Sequence, residues 1–462
     1  MIGYEYEFQV REGDIPLTKK TFLAFHEELA RRGFQTAVDP DTKGVLGSVR
    51  DGATVVTDDG VNNMEIEMPP TETLGESHGK LASLLDELQG VYKKLGASII
   101  GTSVFPGPID LTLIKERHGT VTARICPKSF IYYIAPHRWS ESYWTQLFSG
   151  IHVWLDLPHE DIMRQLSVFN RLNPFFVALL ANGPLFNGKP IGAMEGRNVL
   201  WTKELHTSTI PYDFNIYGMY PTEYSSIFDY LDFILDMPFY FGHRGGNHHG
   251  GISFRLKDPK VTLRQFLYSK ETPAVWGHGG EFTAEPTLDD FGVLQNFTFH
   301  HPRLKFFYRD GVTLREILDA LAKRDETAFL ACFRKFCVEI RTASAPMKTE
   351  LSTAPALYLG IQNNLEKAAA LVHSLSYDDL VALYNEAEKS GLDARFRDID
   401  VAELCGKLVA LSEEGLKRRG FGEEKFLLPL KERIAKRENP AQEALRIWKA
   451  EGLAGIWKAR DF

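Results

Sequence analysis

Three stretches far apart in the chain alternate between apolar and charged residues, and they constrain the fold more than any other feature. In I-G-Y-E-Y-E-F-Q-V, Tyr4, Tyr6, Phe8 and Val10 alternate with Glu5, Glu7 and Gln9. N-N-M-E-I-E-M-P-P repeats the pattern around Glu65 and Glu67, with Asp58 and Asp59 just before it. F-C-V-E-I-R sets Glu339 and Arg341 two residues apart. A two-residue period is that of a strand, in which residues i and i+2 share a face. Each stretch therefore predicts a strand with one apolar and one charged face. Alone, an E-x-E strand reads as a solvated surface. If the three share a sheet and their acidic faces converge, several carboxylates meet in one place. Like charges that close repel and raise one another's pKa unless a cation neutralises them. Oxygen ligands of this kind suit Mg2+ or Mn2+, held with water and substrate phosphates. His152, in S-G-I-H-V-W-L-D-L-P, would add a ligand or a phosphate contact.

The remaining periodicity predicts helices over 18–32, 77–95 and about 160–181, and strands at 62–68, 98–104 and 150–157. The stretch 203–260, rich in aromatics, glycine and histidine, resists assignment. From about residue 355 the pattern is helical, over 356–374, 378–390, 400–418 and 440–451. The last of these opens N-P-A-Q, with Asn439 as N-cap, Pro440 at N1 and Gln442 at N3. Mixed elements followed by helices alone predict an α+β fold, its helices segregated from a largely antiparallel sheet. Residues 1–355 would carry the site, with 356–462 a helical region packed on it as one structural unit.

A chain of 462 residues, 44% apolar and 25% charged, can bury a large core. Its net charge of -8 speaks against a nucleic-acid or anionic-membrane surface. No apolar run approaches the roughly 18 residues of a membrane span, and the first residues read as a strand rather than a secretion signal. Cys126, Cys332, Cys337 and Cys405 form neither a C-x-x-C zinc pattern nor a disulfide framework. They read as reduced thiols of a cytoplasmic protein.

Residues 173–202, N-P-F-F-V-A-L-L-A-N-G-P-L-F-N-G-K-P-I-G-A-M-E-G-R-N-V-L-W-T, resemble a segment of the glutamate–cysteine ligase family, in its plant and proteobacterial branch. That segment has the form P-x-x-x-A-L-x-A-N-S-P-F-x-x-G-K-P-x-G-x-x-x-x-R-x-x-x-W-T. P-Y-D-F, F-D-Y-L-D-F-I-L-D-M-P-F-Y-F, T-L-R-Q-F-L, T-L-D-D-F, L-V-A-L-S-E-E-G-L-K-R-R-G and N-P-A-Q-E follow in the family's order, so the resemblance covers nearly the whole chain. It implies a glutamine synthetase-like fold, whose curved, largely antiparallel sheet lines a metal and ATP site with helices outside. It also implies roles. Glu5, Glu7, Glu65, His152 and Glu339, with Asp58 or Asp59, would bind two or three Mg2+ or Mn2+ ions. Arg341 would face the phosphate of ATP, and Arg197 with Trp201 the amino-acid carboxylate, which makes the two arginines the catalytic candidates. Tyr240 would be a further substrate contact. N-F-T-F-H-H-P-R-L-K is similar to a family segment ending P-E-V-R-L-K, so Arg303 and Lys305 become candidate ATP contacts; the alternative is exposed charge on a turn.

The implied activity is ATP-dependent amide formation through an acyl phosphate, joining the γ-carboxylate of L-glutamate to L-cysteine, a reaction of glutathione biosynthesis. Its partners would be small molecules, with no nucleic acid and no membrane. Phosphoryl transfer asks for positioning and charge neutralisation, which metal ions and arginine forks supply. No Ser/His/Asp arrangement is required, and none is found. Other readings stay open: a ligase for a different acid or amine, a non-catalytic sensor, or a guanidino kinase. The chain also departs from the family pattern. About thirty residues, Phe306 to Val338, intervene between R-L-K and E-x-R and look partly helical. E-M-R-G-A-D becomes E-I-R-T-A-S, so Ser344 replaces an acid, and Gly183 and Glu195 alter neighbouring motifs. These changes touch the amino-acid pockets and bear on the substrates more than on the reaction. G-H-R-G-G-N-H-H-G-G, residues 242–251, lacks the P-loop pattern and a defensible metal spacing. It reads as a flexible loop, which the resemblance puts beside the substrate site as a lid over the acyl phosphate.

Overall fold

The computed structural model describes residues 1–38, 44–57, 60–110, 146–206, 217–239, 241–245, 252–276 and 279–462. Asp58, Asp59, Cys126 and Tyr240 lie outside the described residues, as does 246–251.

A ten-stranded sheet, antiparallel throughout, carries all three acidic strands. Across it the order is Arg303–Tyr308, Phe333–Ile340, Ile151–Leu157, Ile2–Glu12, Asn63–Thr71, Ala53–Thr57, Val45–Arg50 and Gln35–Val38. Ala97–Ile100 and Ile15–Pro16 pair with the far end of the first strand.

The alternation decides which face is core. Tyr4, Tyr6, Phe8 and Val10 are buried, and the Tyr6 and Phe8 rings stack at 6.2 Å. The Tyr6 hydroxyl donates to the Leu351 carbonyl at 2.9 Å, so the buried phenol keeps its hydrogen bond. Helix Leu74–Lys94 covers this face with Leu81, Leu85, Leu88 and Tyr92, and Ser77 reaches the Tyr4 hydroxyl at 3.3 Å. Thr73 caps its N-terminus by accepting from the Glu76 N–H. Helix Lys19–Arg31 packs beside it, Phe25 stacking on Tyr92 at 3.9 Å. Each such buried side chain stabilises the fold by about 1.5–3 kcal/mol.

The C-terminal region is helical as expected. Pro440–Arg460 begins with the Asn439–Gln442 capping box and a proline in its first turn. Thr353–Gln362 and Val401–Arg419 cross at Gly360 and Gly415, where a Cβ on Gly415 would collide with the Gly360 carbonyl. Only glycine allows that approach. The last helix ties back to the sheet: the Phe462 N–H donates to the Ile99 carbonyl at 3.0 Å, and Arg11 Nε to Asp461 Oδ1 at 2.7 Å.

Four local expectations are corrected. The helix over 160–181 is two helices, Ile162–Arg171 and Asn173–Leu180. Pro174 can begin a helix but has no N–H with which to continue one. The helix over 356–374 likewise divides, into Thr353–Gln362 and Leu365–His373. The strand at 98–104 ends at Ile100. Gly242–Arg244 is a strand, not loop, in a four-stranded sheet with Ile252–Leu256, Thr272–Trp276 and Glu281–Ala284. Gly242 sits directly on the Phe254 ring, which leaves no room for a side chain. The stretch between Arg303–Tyr308 and Phe333–Ile340 folds as helices Leu314–Lys323 and Glu326–Leu330, so its partly helical reading holds.

Candidate active site

Register aligns the charged residues across the sheet. Glu5 lies opposite Glu67 on one neighbouring strand and His152 on the other; Glu7 lies opposite Glu65. Glu339 lies opposite Trp154 and Arg303. Residues directly opposite share a face, so the acidic faces of the three strands coincide, with the Ile151–Leu157 strand adding His152 between them.

The side chains converge. His152 Nδ1 is 2.8 Å from Glu5 Oε2 and 3.9 Å from Glu339 Oε1, and its Nε2 is 3.8 Å from Glu7 Oε1. One ligand atom each from Glu5, His152 and Glu339 lies within 4.8 Å of the others, a group that could hold a metal ion. Glu7 and Glu65 are buried beside it.

Cations interleave with these acids. Arg341 Nη1 donates to Glu339 Oε1 at 2.5 Å and lies 3.2 Å from His152 Nδ1. Arg303 forks onto both Glu339 oxygens and donates to the Thr298 carbonyl at 2.9 Å. Lys305 Nζ is 3.3 Å from Glu339 Oε2 and sits over the Trp154 ring at 4.9 Å. Burial pushes the Glu339 carboxyl up, but Arg303, Lys305 and Arg341 overcome it and hold the group well below the carboxylate range. Burial, then Arg341, pushes His152 down to about 4, leaving a neutral imidazole suited to ligation. Burial and Arg303 bring Lys305 down to about 8. Arg303 and Lys305 lie on a strand and are 7% exposed, which overturns the exposed-turn alternative.

Helix Gly196–His206 brings in Arg197, whose Nη2 donates to the Arg341 carbonyl at 2.9 Å. Gly150 leaves the space its guanidinium fills. Trp201, one turn on, stacks with Tyr217 at 5.9 Å and with Phe299 at 5.1 Å. The departures from the family pattern meet here. The Ser344 hydroxyl donates to Glu195, whose other oxygen is 3.8 Å from Arg197 Nε, and Gly183 bridges to Glu195 through the backbone. A Cβ on Gly183 would collide with Ser103, which itself hydrogen-bonds Glu195 at 3.5 Å. The acid missing at 344 is thus matched by an acid at 195 facing it. Three separated changes in sequence are one cluster behind Arg197.

Sequence reasoning missed His301. It is 2% exposed, and neither ring nitrogen has a hydrogen-bond partner among the described residues. Tyr217 meets its ring edge-on at 5.0 Å. His301 lies just before the Arg303–Tyr308 strand, and Asn173, which donates to its carbonyl, also accepts from Thr342 next to Arg341. Burial, then Arg197 and Arg341, holds its ionisation well below the usual range. No sequence pattern singles it out: Pro302 separates it from the Arg303–Tyr308 strand, so the two-residue period does not reach it.

Residues 1–457 match the family described as glutamate-cysteine ligase family 2. The chain belongs to this family. Among glutamate-cysteine ligases, the chloroplastic enzyme of Solanum lycopersicum is 26% identical over 395 residues, covering 83% of this chain and 64% of that one. The chloroplastic enzyme of Arabidopsis thaliana is 23% identical over 396 residues, covering 84% and 64%. This chain therefore spans just under two thirds of the length of such relatives. The crystal structure of glutamate–cysteine ligase from Francisella tularensis, in complex with AMP, aligns with a TM-score of 0.54 at 12% identity. The alignment covers 98% of this family member and 86% of the Francisella chain, and it establishes a shared fold. Among the described residues no helix is long and apolar enough to cross a membrane.

Proposed function

We propose that this protein is an ATP-dependent carboxylate–amine ligase, joining the γ-carboxylate of L-glutamate to L-cysteine through an acyl phosphate. The observation that carries the reading is the convergence of Glu5, His152 and Glu339 on one sheet face, with Arg341 among them. In the first step a carboxylate oxygen attacks the γ-phosphorus of ATP, and the bond to the ADP oxygen breaks. In the second the amine attacks the acyl carbon and phosphate departs, the amine losing a proton. Neither step requires a protein nucleophile; both require that negative charge be held in place.

The donor set fits a hard divalent cation, being carboxylates with one neutral imidazole. Glu5, His152 and Glu339 would hold one ion. Glu7 and Glu65, with Asp58 or Asp59, are the donors for a second or third, Mg2+ or Mn2+. Such ions would screen the phosphate oxygens and act as Lewis acids. Arg341, beside these donors, would bind the transferring phosphoryl group through its planar fork. Arg197, with Trp201 one helical turn on, would hold the amino-acid carboxylate, and Tyr240 would add a contact. Arg303 is committed to Glu339 and would act through it. Lys305 is the freer candidate for the nucleotide. The buried free thiols of Cys332, Cys337 and Cys405 accord with a reducing compartment, and we propose the cytoplasm.

A second reading, in which the acid or the amine differs, is favoured by the cluster of Gly183, Glu195 and Ser344 beside Arg197. One assay separates the readings: purified protein with Mg-ATP and pairs of amino acids, following ADP and product mass. Amide and ADP with L-glutamate and L-cysteine support the first; amide with another pair supports the second. Phosphorylated product without amide would indicate a kinase. Binding without turnover would indicate a sensor.

A further inference from the structure

We propose that His301 is a substrate contact that recognises the α-amino-acid end of one of the two joined substrates, alongside Arg197 and Arg341. The proposal rests on the ligase reading above. His301 is buried to 2% exposure, and neither ring nitrogen has a hydrogen-bond partner among the described residues, so no neighbouring protein group satisfies the imidazole. Every other constraint on it fixes its position. The backbone N–H donates to the Gly218 carbonyl at 2.8 Å, the carbonyl accepts from Asn173, and the Tyr217 ring holds the imidazole edge-on. An unpaired group held this firmly is preorganised for a ligand.

The surroundings define the ligand's chemistry. Asn173, which donates to the His301 carbonyl, accepts from Thr342 next to Arg341, and Arg197 Nη2 is 3.4 Å from the Thr342 carbonyl. Burial first, then these two arginines, keeps the imidazole neutral. A neutral imidazole offers one N–H donor and one bare nitrogen acceptor. Two guanidinium groups attract a carboxylate, to which the N–H would donate. The two ring nitrogens point away from each other, so one amino-acid end meets only one of them, and beside two guanidinium groups that contact is the N–H on its carboxylate.

The test is steady-state kinetics of the full-length protein, with KM measured separately for the acid, the amine and Mg-ATP. His301→Phe keeps the ring and removes both polar atoms; His301→Gln restores one donor and one acceptor. For His301→Phe, KM for one amino acid should rise about 10-fold or more, with KM for Mg-ATP unchanged. His301→Gln should recover most of that loss. Should the Phe variant not fold, His301→Met carries the same expectation. Unchanged KM for both amino acids, or equal losses in all three that Gln does not recover, would overturn the proposal. If the wild type releases no ADP, the ligase reading fails separately. Calorimetric titration with L-glutamate and L-cysteine then decides: binding by wild type that His301→Phe loses supports the contact, whereas equal binding, or none by wild type, refutes it.

Discussion

On one side of the first strand, Tyr6 and Phe8 stack against helices; one residue away on the same strand, Glu5 and Glu7 face histidine, arginine and other carboxylates. The backbone and its hydrogen bonds are common to both faces. What differs is how neighbours depend on one another. On the apolar face each ring contributes through the area it buries, and the loss of one leaves the rest intact. On the charged face Glu339 is balanced by Arg303, Lys305 and Arg341 at once. Removing one partner there strands the others as buried charge. The apolar face therefore carries stability and the charged face carries chemistry, and substitutions can break that division.

The largest effect is expected for Glu7→Gln, which keeps shape and removes charge. Turnover should fall about 1,000-fold or more in the folded protein, a loss well beyond the lowering of the melting temperature that follows from leaving buried arginines less balanced. Near-normal activity would mean that the charged face is not the site. Phe8→Ala should do the opposite, lowering stability in urea by about 3–5 kcal/mol while the folded fraction keeps its specific activity. Loss of activity beyond the unfolded fraction would show that the faces are coupled.

Acid sensitivity separates the faces further. His26, on helix Lys19–Arg31, hydrogen-bonds Ser48 at 2.8 Å on the apolar side, and burial pushes it down to about 4. Between the ordinary histidine value near 6.5 and 4, the unfolded chain takes up a proton that the folded one refuses. Stability is thus lost as pH falls through that window, by up to about 3 kcal/mol from this group. His26→Leu should lose less than wild type on going from pH 7 to 4 in denaturant titrations; parallel curves would contradict the assignment. The smallest change is expected from Glu195→Gln, which leaves the fold intact and alters the charge beside Arg197. KM for one amino-acid substrate should shift several-fold, with kcat within about two-fold of wild type. A change in kcat alone would detach Glu195 from substrate selection.

These contrasts also mark what the sequence could disclose. Period-2 alternation identified Glu5, Glu7, Glu65 and Glu339 as residents of charged strand faces, and caps such as Asn439 made the C-terminal helices legible. Alternation is a property of one strand, however, and register is a property of two. Nothing in the first strand shows that Glu5 will oppose Glu67 and His152, or that Arg303 will spend its fork on Glu339. The strands of 242–284 were hidden because they are three to five residues long, too short for alternation to stand out. The break at Pro174 was visible in the sequence, yet the apolar stripe through it outweighed the proline. His301 and the meeting of Gly183, Glu195 and Ser344 depend on long-range packing, which local pattern does not encode.

The central claim is that this sheet face gathers divalent ions around the terminal phosphate of ATP so that a carboxylate can be phosphorylated. Oxygen transfer tests it most directly. The acid that supports ADP release is supplied with 18O in its reacting carboxylate, and the released phosphate is analysed by mass. An acyl phosphate requires one labelled oxygen in each phosphate released with amide. Unlabelled phosphate accompanying the same product would contradict the account.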